Sequence, residues 1–125
     1  MRALLLLIAL GALAAPAQGQ SREVIGYAGV LGEWEVTATV TEKASGPTRE
    51  FSGPLTMTHV GICTQEGPEE KIGEIRFQIS SSSRLEATLS VAGVECTYRG
   101  KLSDSYTGMM RCPDRPAVPL ELWVK

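Results

Sequence analysis

From Val94 to Val124 the even-numbered residues are almost all apolar or small, and polar side chains fall mostly on the odd ones. The even series holds Val94, Cys96, Tyr98, Gly100 and Leu102, then Tyr106, Gly108, Met110 and Cys112, then Val118, Leu120, Leu122 and Val124. A period of two is what a β-strand shows when one face packs in a core and the other meets water. The two cysteines lie at equal distance from Asp104, in the turn-like run Ser103-Asp104-Ser105. A hairpin folded there sets Cys96 opposite Cys112 on one face, where a cross-strand disulfide can close.

The same alternation runs through the rest of the chain. Trp34, Val36, Ala38 and Val40 share a face, as do Phe51, Gly53, Leu55 and Met57, then Ile75, Phe77 and Ile79, then Leu85, Ala87, Leu89 and Val91. Turn signals separate these runs: Ser45-Gly46-Pro47, Glu66-Gly67-Pro68, the serines 80–83, Ala92-Gly93 and the segment Pro113 to Pro116. Between Val91 and Val94 only two residues intervene, so the inward set must change from odd to even numbers there, and it does. A slip of one residue would turn every apolar side chain to water. The expected fold is all-β: a single small antiparallel meander of seven to eight strands, forming a closed or nearly closed up-and-down barrel. An extra strand near Val24 to Ala28 lets the sheet close with antiparallel neighbours throughout and removes its free edges. Inward glycines at Gly53, Gly100 and Gly108 suit a tightly coiled sheet, with Gly100 facing Gly108. An open, Greek-key or sandwich arrangement of the same strands is the alternative.

The first residues read as an export signal. Met1-Arg2 is a short basic start, Ala3 to Leu13 is apolar, and Ala15-Pro16-Ala17 has the A-x-A form of a cleavage site. The apolar run is shorter than the ~20 residues of a spanning helix, so no membrane span is expected. The expected organisation is a cleaved signal peptide at 1–17, an N-terminal segment at 18–30 and the barrel domain at 31–125. The product would be secreted, and periplasmic if the source is bacterial. The chain of 125 residues has a formal charge of −2, and Arg2 is the only charge in the leader. A mildly acidic remainder offers no electrostatic footprint for nucleic acid.

Gly32-Glu33-Trp34, at the head of the first long strand, resembles the Gly-x-Trp that opens lipocalin and avidin-type barrels and small periplasmic protease-inhibitor barrels. This resemblance implies an eight-stranded calycin-like barrel with Trp34 plugging one end. A tryptophan capping the core of some other β-domain is the alternative reading of the same residues.

Three cysteines permit three pairings. Facing geometry favours Cys96 with Cys112, leaving Cys63 as a thiol; Cys63 bonded to one of the others is the alternative. Met57, His59 and Cys63 lie on one side of a regular strand, and soft sulfur and imidazole ligands suit copper. The spacing matches no established metal motif, and Gly61 could mark a bulge that turns Val60 and Ile62 inward instead. Met57 as core and His59 as an ordinary hydrogen-bonding side chain is the favoured reading, so neither metal nor other cofactor is expected.

One histidine, two aspartates in loops (Asp104 and Asp114) and no Gly-x-Ser-x-Gly elbow leave no triad to assemble. A non-catalytic role is expected, in one of three classes: a module binding another exported protein, a carrier of a small apolar ligand, or a structural envelope domain. The inward set carries few polar groups beyond Tyr98 and Tyr106, and a carrier needs some to orient its ligand. Small barrels also fill with side chains. The outward set around the last hairpins holds Arg99, Lys101, Met109, Arg111 and Trp123. With Cys112 opposite Val118, Thr107 falls opposite Trp123 and these five residues form one patch. Aromatic, methionine and arginine side chains together have an interface composition, and the positive charge points to an acidic surface on the partner. The alternative is that Trp123 folds over the sheet edge and the basic residues only keep the surface soluble.

Overall fold

The computed structural model describes residues 21–45, 48–60, 69–80 and 83–125. Eight strands appear among them: β1 (Ser21–Ala28), β2 (Trp34–Ser45), β3 (Thr48–His59), β4 (Glu70–Ile79), β5 (Arg84–Val91), β6 (Val94–Leu102), β7 (Tyr106–Arg111) and β8 (Val118–Val124). Each pairs antiparallel with its neighbour in sequence, and β1 closes on β8 to complete a barrel. The extra strand expected at Val24 to Ala28 is β1, which begins three residues earlier at Ser21. The leader at 1–17, Cys63 with the Gly61 bulge, and the Gly46-Pro47 and Glu66-Gly67-Pro68 turn signals lie outside the described residues.

The alternating residues fill the interior. Val24, Val36, Val40, Phe51, Leu55, Ile75, Phe77, Leu85, Leu89, Tyr98, Leu120 and Leu122 are essentially withdrawn from water. Each such aliphatic or phenylalanine side chain contributes roughly 1.5–3 kcal/mol relative to exposure. Phe51 and Phe77, opposite each other on β3 and β4, stack with centroids 4.8 Å apart. The core is therefore packed side chain against side chain.

Two hairpins follow the parity argument. Val91 pairs with Val94 across Ala92-Gly93, whose φ values of 50° and 81° are those of a type I′ turn. Around Asp104, Leu102 pairs with Tyr106 and Gly100 with Gly108. Gly100 is needed because the Tyr98 ring lies over it: a methyl at Gly100 would come within 2.8 Å of two ring carbons. On β2 and β3 the ladder is interrupted beside Thr39 and Val40. Pro54 has no N–H to donate there, and Gly53 brings its backbone against the Thr39 carbonyl, bending the sheet.

The hairpin from β7 to β8 corrects one expectation. Met110, not Cys112, pairs with Val118, so Thr107 faces Glu121 and Tyr106 faces Leu122. Pairing ends before the segment Cys112 to Ala117, in which Asp114 adopts a left-handed conformation between two prolines. The strands are thereby offset by two residues from the expected register. Trp123 moves two positions out of the Lys101–Thr107 row, farther from Arg99 and Met109, and lies beside Ile25 of β1 with its ring edge-on to Tyr27 at 6.1 Å.

Candidate functional site

The outward residues of β4 to β7 line up in rows across the strands. One row runs Arg76, Thr88, Thr97, Arg111; the next runs Gln78, Glu86, Arg99, Met109. Strand twist and coiling shape this face into an open groove of about 860 Å³. Arg76, Arg99 and Arg111 contribute three positive charges to it, and Glu86 and Glu95 two negative ones. Glu86 approaches Arg99 at 3.9 Å, with both side chains largely in water. That contact is screened and flexible, so Arg99 remains available to a better acceptor. Met109, 42 % exposed, supplies an apolar contact beside Arg99. Lys101 and Arg84 pair in the adjoining row and extend the positive charge toward the Asp104 turn. On the opposite side of the barrel, β2 and β3 present Thr37 with Thr56, Thr41 with Ser52 and Glu35 with Thr58, a neutral to acidic surface.

Of the five patch residues expected from the sequence, the fold brings together Arg99, Met109 and Arg111, places Lys101 one row away, and separates Trp123. Trp123 is half-buried, and Ser105, on the neighbouring strand end, donates a hydrogen bond from its Oγ to Glu121 Oε2 at 2.6 Å. The tryptophan thus belongs to the seam where β8 meets β1.

Cys96 and Cys112 form a disulfide with Cα atoms 4.3 Å apart, the spacing of directly opposed residues in a non-hydrogen-bonded pair. Nearby, Trp34 sits half-buried against the core. His59 packs edge-on to it at 4.6 Å, and Lys71 Nζ lies 4.9 Å from its ring centroid. Met57 is buried core. Met57 and His59 therefore have packing roles, and their third suggested partner, Cys63, lies outside the described residues. No group of three histidine, cysteine or acidic side chains stands close enough to hold a metal ion among the described residues. No described helix is long and apolar enough to cross a membrane.

The sequence matches no protein-family model and no curated protein.

Two further clusters stand out that the sequence reading passed over. Val30 and Leu31, 79 % and 90 % exposed, form the tip between β1 and β2. Leu31 N–H donates to Glu33 Oε2, and Gly29 N–H to the Pro119 carbonyl, so the tip is held from both sides. At the other end of the barrel, Arg22, Glu42 and Arg49 meet at the rim. All three continue the inward series of their strands, a signal present in the sequence as Arg22 before Val24, Glu42 after Val40 and Arg49 before Phe51. What the sequence lacks is the shear of the barrel that brings those strand ends together.

Proposed function

We propose that this protein is an exported, non-catalytic binding module that engages an acidic surface of another secreted or envelope protein through the β4–β7 face. The observation that carries this reading is the groove lined by Arg76, Arg99 and Arg111, in which Arg99 and Arg111 stand beside exposed Met109. Guanidinium groups flanking an apolar side chain match the chemistry of a hot spot: a central contact, and charge that steers and orients. The packed interior supports this role over that of a carrier with its ligand enclosed in the barrel, because Tyr98, Phe51 and Phe77 already occupy that space. The disulfide suits an oxidising compartment, in keeping with the signal-like first residues.

A photo-crosslinking residue placed at Thr88, on the groove, and at Thr37, on the threonine face, tests this reading in the exported fraction. A discrete cross-linked product from Thr88 alone is expected, lost in Arg111→Glu and retained in Trp123→Ala. Equal products from both positions, or an unchanged product in folded Arg111→Glu, would mark the groove as ordinary surface.

A further inference from the structure

The barrel end opposite the disulfide holds a depression of about 260 Å³ with two arginines facing into it, Arg22 from β1 and Arg49 from β3. Its walls are apolar, built from Phe51, Ile79, Leu102 and Leu122. Glu42 answers only part of the positive charge. It accepts from Arg49 Nε and Nη2, each at 3.0 Å, and stands 3.8 Å from Arg22 Nε. Arg22 Nε is withdrawn from water and donates no hydrogen bond. Asp104 and Lys125, the other charged groups on the lining, are of opposite sign to each other. The depression thus sets two guanidinium groups that share one glutamate carboxylate over an apolar floor.

We propose that this mouth is a binding site for a small carboxylate bearing a short apolar chain. The carboxylate would accept from the water-accessible part of the Arg22 guanidinium, while the chain lies on Phe51 and Leu102 beneath the Arg49–Glu42 pair. The volume lies below the ~300–1,000 Å³ of sites for drug-sized ligands, so the occupant is small. A free short-chain acid and the C-terminal apolar residue of a peptide both carry this chemistry. The site lies apart from the β4–β7 groove and does not depend on what that groove binds.

Trp123 borders the depression, with its ring turned to Tyr27 on the outer face. Hexanoate titrated into the folded protein is expected to shift the side-chain N–H resonances of Arg22 and the methyl resonances of Leu102 in a saturable way. Affinity should rise about fourfold for each methylene added from butanoate to hexanoate, and Arg22→Gln should weaken hexanoate about tenfold or more. Hexan-1-ol should bind at least as weakly as hexanoate binds that variant. Leu102→Ser, at a partly exposed position, should weaken hexanoate while leaving the melting temperature within a few degrees. Acetyl-Ala-Leu with a free or amidated C-terminus forms a second arm. Saturable binding of either acid, lost with its neutral analogue and in Arg22→Gln, supports the site, and the tighter of the two names the source. Equal affinities of hexanoate and hexan-1-ol, equal affinities of wild type and folded Arg22→Gln, or no saturable signal from any acid would overturn it.

Discussion

Where β6 begins, the barrel is closed by the Cys96–Cys112 disulfide and by Trp34 packed between His59 and Lys71. Where β6 finishes, an arginine–glutamate cluster and Leu102 surround an open depression. The first closure is covalent and aromatic. The second is ionic and lies partly in water, where screening and side-chain entropy take most of its value. One end is thus built for stability, and the other keeps its charged groups free to exchange partners. A barrel of this size can leave one mouth loosely closed when the opposite mouth is locked.

Removing the lock is expected to have the largest effect. The disulfide spans a sequence separation of 16. A closed loop of that size contributes ~3 kcal/mol in the chain-entropy model. Cys96→Ser with Cys112→Ser should therefore lower unfolding stability by ~3 kcal/mol and the thermal midpoint by more than ~10 °C. Arg22→Gln at the other mouth should stay within ~0.5 kcal/mol of wild type. Urea denaturation of the two variants under identical conditions measures the asymmetry, and similar losses would remove the contrast between the ends.

The contrast was only half legible in the sequence. Alternation and turn parity set which residues face inward, and the symmetry of Cys96 and Cys112 about Asp104 favours the pair that the structure bonds over a pairing with Cys63. The offset between β7 and β8 was not legible, because a slip of two residues keeps every side chain on its own face. Hydrophobic patterning penalises odd slips only. The conformation of the Pro113 to Pro116 turn, with Asp114 left-handed, sets that register and moves Trp123 out of the Arg99 patch. Arg22 and Arg49 have inward parity that can be read directly. Their meeting with Glu42 depends on how the closed sheet staggers its strand ends, which no single hairpin reveals.

Between the two ends lies Tyr98, whose hydroxyl is buried without a hydrogen-bond partner. Burial pushes its ionisation well above the ordinary phenol range, and the negative charge of Glu121 adds to the shift. The native state therefore holds the neutral phenol, while the unfolded chain ionises near pH 10. The stability contributed by this group is complete below that pH and is lost as the pH rises above it. Tyr98→Phe should flatten the alkaline decline in stability. At neutral pH it should add ~1 kcal/mol by removing an unsatisfied hydroxyl. Urea midpoints at pH 7 and pH 11 test both effects. A loss of stability at pH 7 would mean that the hydroxyl has a partner and that the core between the two mouths is polar.

The smallest expected effect separates ionic closure from mere proximity. The Arg49 hydrogen bonds, and then the charges of Arg49 and Arg22, outweigh desolvation and hold the Glu42 carboxyl below its ordinary range. A carboxyl whose native pKa is depressed contributes stability above its unfolded pKa, and that contribution disappears as the pH falls through the native value. Acidification below about pH 4.5 should therefore weaken this rim. Glu42→Gln removes the titrating group, so its stability should fall less than that of wild type between pH 6 and pH 3. In 1 M salt the two profiles should converge, because the Debye length shrinks to about 3 Å. Urea midpoints across this range, at low and high salt, supply the comparison. Parallel profiles at low salt would show that Glu42 and the arginines share the rim without stabilising it.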